Sequence, residues 1–235
     1  MSELVERIGK NLAGLRERIA RAAGRAGRDP AGVALLPITK MVGAAETAAL
    51  LAAGATEIGE NRVRDALRKA QAMGEAASKP SWQLVGHLQT NKVRKALTLF
   101  SGMHSLDSAR LLAELQKEMA ARHPDGVLPV YVEVNTTGEG AKTGASEAEV
   151  REIFANLAGA ARVTPVGLMT MGPLSPDPEE ARPCFRRLRE LLEQLRGEGL
   201  APDGCRGLSM GMSGDFEVAV EEGSTVVRVG TAVFA

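Results

Sequence analysis

Eight short apolar runs recur along the sequence with a helix-forming stretch after nearly every one, and few folds accept that order. The runs cover residues 33–39, 56–61, 82–85, 103–106, 128–135, 163–169, 208–210 and 226–229. They are too short for ordinary helices and are nearly continuous in apolar residues, which suits strands covered on both faces. Between them lie helical stretches at 46–53, 62–73, 91–97, 108–122, 148–157, 179–196 and 216–221. In 108–122 the residues Leu111, Leu112, Leu115 and Met119 fall on one side, and in 179–196 so do Phe185, Leu188, Leu191, Leu192 and Leu195. That three-and-four spacing gives a helix one apolar face to lay on a sheet. Ser146, with Glu149 three residues on, is a capping-box start for the helix at 148–157.

A helix after each strand returns the chain to the same end of the sheet, so the strands pair in parallel. Eight such units predict an α/β protein built as a closed (β/α)8, TIM-like barrel, with a doubly wound open sheet as the second choice. An extra amphipathic helix at 2–25, apolar at Leu4, Ile8, Leu12, Leu15 and Ile19, precedes the first strand. Residues 230–235 are too few for an eighth barrel helix, so the N-terminal helix is expected to fill that place. No repeat, linker or composition break divides residues 1–235, which implies one domain. Pro37 is awkward inside the first run, because it has no N–H to give a ladder.

Charge narrows the partners. The 29 Lys and Arg balance 29 Asp and Glu, and a net charge of zero argues against general nucleic-acid binding. No apolar run reaches membrane-spanning length and residues 1–10 are charged rather than signal-like, so a cytoplasmic protein without a membrane partner is expected. Cys184 and Cys205 lack metal-ligand spacing, and His87, His104 and His123 do not cluster in sequence; both thiols are expected reduced and no metal is expected.

In a barrel of this kind, binding groups sit at the C-terminal strand ends. Those ends carry Lys40, Glu60 with Asn61, His87, a polar loop at 136–144 with Lys142, the run Met169-Thr170-Met171, Ser213, and Arg228 followed by Gly230 and Thr231. The two last strands both stop in small residues, Gly211-Met212-Ser213 and Gly230-Thr231. Glycine lets a ligand approach the backbone and outward N–H groups suit phosphate, although two ordinary turns would read the same. Lys40 shares a pleat face with Leu36 and Ile38. Desolvation there would lower its pKa and free an amine to attack a carbonyl, whereas a strand-capping surface lysine is the plainer reading. A lysine facing a phosphate cup across the mouth, with Arg228 between, suits pyridoxal phosphate, whose aldehyde and phosphate lie on different sides of one small ring.

The segments ITK at Lys40, GEN at Asn61, GHLQTNK at Lys92, GLMTM at Met171 and LSMGMSGDFEVAVEEGSTVVRVGT resemble, in order, the pyridoxal phosphate homeostasis family, also called the proline synthase co-transcribed homolog family. The likeness runs from about Leu35 to Phe234. It implies a barrel like the N-terminal domain of alanine racemase (pyridoxal phosphate fold type III), the cofactor held as a lysine aldimine, and no established turnover. By position Lys40 is similar to the aldimine lysine and Arg228 to the partner of the pyridine nitrogen. Ser213, Gly230 and Thr231 match phosphate contacts, helped by the amides of Met212, Ser213 and Gly214, while Asn61, His87 and Met169 line the pocket. Lys142 matches a family loop lysine. Members often read SKTKP where this chain has Thr39-Lys40-Met41, so the second lysine is missing here.

The resemblance implies a monomeric carrier that stores pyridoxal phosphate and supplies it to pyridoxal-phosphate-dependent apo-enzymes. A racemase-like enzyme would need a second acid or base facing Lys40, and the single tyrosine, Tyr131, lies inside the fifth run. A cofactor-independent aldolase using Lys40 on a sugar phosphate is the third possibility.

Overall fold

The computed structural model describes residues 2–137 and 143–235. Its strands are β1 (Ala34–Pro37), β2 (Glu57–Glu60), β3 (Ser81–Leu84), β4 (Gly102–Leu106), β5 (Leu128–Glu133), β6 (Val163–Met169), β7 (Gly207–Ser209) and β8 (Val226–Val229). The helices are α1 (Ser2–Arg25), α2 (Ala44–Ala52), α3 (Val63–Met73), α4 (Val93–Ala96), α5 (Ala109–Arg122), α6 (Glu147–Leu157), α7 (Arg182–Gly197), α8 (Phe216–Glu221) and α9 (Thr231–Phe234). All the strand pairs are parallel and run in the order β1-β8-β7-β6-β5-β4-β3-β2. A single bridge between Ile38 and Gly59 brings the first and last members together. The expected barrel is therefore present, nearly closed, with its seam between β1 and β2.

The seam explains Pro37. Along β1 the N–H groups of Ala34 and Ile38 point to β8, donating to Thr225 O and Val229 O. Thr39, of the other parity, donates to Gly59 O on β2. Pro37 shares that parity, so its missing N–H faces the seam, where pairing with β2 begins only at Ile38.

The main apolar core lies between sheet and helices. Leu168 of β6, Val130 and Val132 of β5, and Val227 and Val229 of β8 face it together with Leu188, Leu191 and Leu192 of α7. Alternation then turns Met169, Tyr131, Glu133 and Arg228 into the barrel interior. Residue Ser146 caps α6 as expected: its Oγ accepts from Glu149 N (3.4 Å) while Glu149 Oε2 accepts from Ser146 N (2.8 Å).

Helix α1 occupies the place left between α8 and α2. Ile8, Leu12, Leu15 and Ile19 are buried, Arg18 pairs with Glu217 of α8 (2.6 Å), and Asn11 donates to Val233 O (3.1 Å) and Ala235 O (2.9 Å). The last strand is followed by one helical turn, α9, which sequence periodicity did not indicate. Among the described residues no helix is long and apolar enough to cross a membrane, and no group of His, Cys, Asp and Glu could hold a metal ion.

Candidate functional site

Three neighbouring strand ends form the first part of the site. After β7 the chain turns at Gly211, whose φ is +95°; a Cβ there would lie 2.6 Å from Ala219 Cβ and 2.9 Å from Phe216 Cα. Only glycine allows α8 to sit this close to the turn. The N–H groups of Asp215 and Phe216 both donate to Met212 O (3.2 and 2.9 Å), so those of Ser213 and Gly214 come before the first helical donors and have no acceptor among the described residues. Met212 differs from expectation: its own N–H donates to Asp215 Oδ1 at 2.6 Å and is used inside the turn. After β8, Gly230 leads into Thr231 and Ala232, the opening residues of α9. Arg228 N donates to Gly211 O (2.9 Å), which ties the two turns together.

Lys40 leaves the barrel next to this pair of turns. Ile38 N donates to Val229 O (2.9 Å), and a Cβ on Gly230 would come within 3.3 Å of Ile38 O. The lysine thus flanks the cup on the adjoining strand; sequence reasoning had put it across the mouth. It does follow the buried run 36–39, but its side chain is exposed and stands in a turn. A desolvated amine is not what the fold provides.

Beneath the turns lies a polar interior around Arg228, which is 5% exposed. Its Nη1 donates to Ser209 O (2.6 Å) and Ser209 Oγ (2.7 Å), and its Nη2 to Thr170 O (2.9 Å). Arginine has five N–H donors, so two remain without an acceptor among the described residues. Burial lowers the guanidinium to about 10, with Glu133 and Asp215 opposing that shift, so it stays charged at neutral pH. Burial raises the carboxyls of Glu133 and Asp215, and Thr143 Oγ1 donates to Glu133 Oε1 (2.6 Å).

His104 Nδ1 lies 2.8 Å from Ser209 Oγ. Since that oxygen accepts from Arg228, its hydroxyl proton is left for Nδ1. Burial, reinforced by the Arg228 charge, lowers His104 to about 3, which keeps the imidazole neutral. The His104 ring packs on Tyr131 with centroids 4.3 Å apart. Gly207 makes room for that phenol, because a Cβ would fall 2.6 Å from Tyr131 Cε1. Burial, with Glu57 and Cys205 adding to it, pushes Tyr131 up to about 12. Met169, fully buried, pairs in register with Ser209 on the same interior level.

Sequence reasoning missed a buried cluster under Lys40. Lys69 of α3 reaches inward to donate to Thr39 O (2.5 Å) and to pair with Glu60 Oε1, which also accepts from Thr39 Oγ1 (2.6 Å). The side chains of Lys69 and Glu60 are 8% and 2% exposed. The signal was available: Lys69 stands three residues after Ala66 and six after Val63, on the buried face of α3.

Asn61 and His87 stand just beyond the ends of β2 and β3. Gly86 comes so near Asn61 that a Cβ would sit 2.3 Å from its carbonyl oxygen, and His87 Nδ1 meets Asp107 Oδ2 at 2.7 Å. Both residues line a groove of about 580 Å³ on the β2–β3 side, with Arg62, Arg64, Lys92 and Lys95 around it. Lys142 lies outside the described residues.

The residues fit a small phosphate ester bearing a basic ring nitrogen. The amides of Ser213, Gly214 and Thr231 suit the phosphate. Arg228 has donors to spare, and an amine stands on the next strand.

Comparison with known proteins places the chain among relatives. Residues 11–235 match the family model "Alanine racemase, N-terminal domain". The chain is 39% identical over 225 residues to the pyridoxal phosphate homeostasis protein of Aquifex aeolicus, covering 96% of each. It superposes on PipY of Synechococcus elongatus, solved with PLP bound, with TM-score 0.83 at 32% identity, covering 97% of this chain and 100% of that one. Alanine racemase from Corynebacterium glutamicum shares the fold alone: TM-score 0.70, 16% identity, 97% of this chain and 60% of that one.

Proposed function

The chain belongs to the pyridoxal phosphate homeostasis protein family, and from that premise we propose that it binds pyridoxal phosphate as a Lys40 aldimine and serves as a reversible store of it. The supporting observation is that the strand end bearing Lys40, the paired turns at Ser213 and Gly230–Thr231, and Arg228 adjoin one another through β1, β8 and β7. When bound, the cofactor supplies an aldehyde for the amine. The protein's own part is to retain it: the Ser213, Gly214 and Thr231 amides take the phosphate, and Arg228, held by Ser209 and Thr170, gives a spare N–H to the ring nitrogen. Met169 forms the buried floor.

The interior supports retention without turnover. A racemase needs an acid or base that exchanges a proton near neutral pH. Tyr131 keeps its proton up to about 12 and His104 stays neutral down to about 3. We read the protein as a cytoplasmic, single-domain monomer that buffers the cofactor and passes it to apo-enzymes.

The test is direct. Protein incubated with pyridoxal phosphate should absorb as an internal aldimine, and borohydride reduction should add one pyridoxyl mass at Lys40. Lys40→Ala should lose both signals. No cofactor binding at all, or rapid racemisation of an amino acid by the loaded protein, would overturn the proposal.

A further inference from the structure

On the α1, α7 and α8 side of the barrel the arginines are closely matched by acids. Arg182, Arg186 and Arg189 all reach the buried carboxylate of Glu222, and Arg18 and Arg25 reach Glu217. The β2–β3 side is different. Arg62, Lys92 and Lys95 are exposed around one groove of about 580 Å³ and make no ion pair among the described residues. The acids nearby are engaged: Glu60 by Lys69, Asp107 by His87, and Asp65 by Arg68 and, at 3.7 Å, by the fourth cation, Arg64. In a chain of zero net charge this concentrates uncompensated positive potential in a single concavity.

The groove floor is apolar. Val63 and Leu88 are buried beneath it, and Leu67 is half-buried. Its volume falls within the range of small-molecule sites, roughly 300–1,000 Å³, and is too small for a folded partner. None of its lining residues comes from β1, β6, β7 or β8, which build the cup, yet Asn61 and His87 at the ends of β2 and β3 open it toward the barrel mouth.

We propose that this groove is a second ligand site for a ring-bearing phosphate monoester, its phosphate among Arg62, Lys92 and Lys95 and its ring over Val63, Leu67 and Leu88. A second molecule of the cofactor class can then wait beside the mouth while the first is held in the cup. The inference depends on the cofactor reading only for its choice of probe.

The experiment uses the full chain reduced with borohydride in the presence of pyridoxal phosphate, checked by mass, so that the cup is permanently filled. Titration with 4-deoxypyridoxine phosphate, which has the ring and phosphate but no aldehyde, should show one further equivalent. Inorganic phosphate should bind at least tenfold more weakly. The double variant Arg62→Glu/Lys92→Glu should weaken the ring ester at least tenfold while leaving the pyridoxyl mass and the melting temperature unchanged. No further equivalent, indifference to the charge reversal, or phosphate binding as tightly as the ester would each overturn the proposal. If reduction adds no pyridoxyl mass, the Lys40 reading falls; the loss of one equivalent in the double variant still reports the groove.

Discussion

Lys69→Met is the most demanding perturbation of this fold, because it strands a buried charge directly beneath the lysine that the site depends on. In the wild type, Glu60 is 2% exposed and its carboxylate is answered by Lys69 and by the Thr39 hydroxyl. Methionine keeps the length of the side chain and removes the ammonium, leaving Thr39 O without its donor and Glu60 with one neutral partner. Removing one member of a buried pair typically costs about 3–5 kcal/mol. For a chain of this size each kcal/mol moves the melting point by roughly 2–4 °C, so Lys69→Met should melt roughly 6–20 °C lower. Urea unfolding at pH 7 should show the same loss in midpoint with an unchanged slope. Lys69→Met/Glu60→Leu should recover most of that loss, since an apolar pair of similar volume avoids desolvation altogether. A single variant within 1 kcal/mol of wild type, or a double variant worse than the single, would refute the argument that the pair is buried and mutually compensating.

Two other consequences are open to the same unfolding assay. Gly211→Ala should destabilise by about 1–3 kcal/mol or more, as φ is +95° and the new methyl meets Ala219 and Phe216; Gly214→Ala, with nothing within 4 Å, should change stability by no more than about 0.5 kcal/mol. The second concerns pH. His104 has a folded pKa of about 3, below its unfolded value of 6.5, so its contribution is present above 6.5 and lost as pH falls toward 3. Between pH 7 and pH 4.5 that amounts to roughly 2–3 kcal/mol. His104→Asn should flatten this part of the profile, and the difference between the two proteins isolates it from the opposite trend of Glu133 and Asp215, whose carboxyls are raised. A difference between the two that does not change with pH would refute the assignment.

Most of the architecture could be read from residue order because its cause is local. Each of the eight apolar runs became a strand, several with ends displaced by one or two residues; β1 ends at Pro37, although the run, with single hydrogen bonds to β8 and β2, continues to Thr39. The cup was legible for the same reason: Gly211 and Gly230 mark places where backbone meets backbone. What could not be read is whatever depends on closure. The position of Lys40 beside the cup follows from β1 pairing with β8, a contact across nearly the whole chain. The grouping of Asn61 with His87 follows from the β2–β3 pairing, and the use of the Met212 amide by Asp215 depends on how α8 docks.

Closure also decides what the interior is for. Barrels of this kind usually fill the interior with layers of branched apolar side chains. Here one level holds Arg228, Ser209, His104 and Glu133, with Tyr131 packed against His104, and Leu36, Ile38 and Met169 as apolar members. Such a level costs desolvation that an apolar layer would avoid. The cost is limited because Ser209 and Thr170 take three of the five Arg228 donors and Ser209 answers His104. The three bonds to Ser209 and Thr170 fix Arg228 and none depends on a ligand, so its spare donors are aimed before anything binds. Pre-aimed donors lower the cost of binding, and the same burial holds Tyr131 and His104, two neighbours that could move protons, far from neutral pH.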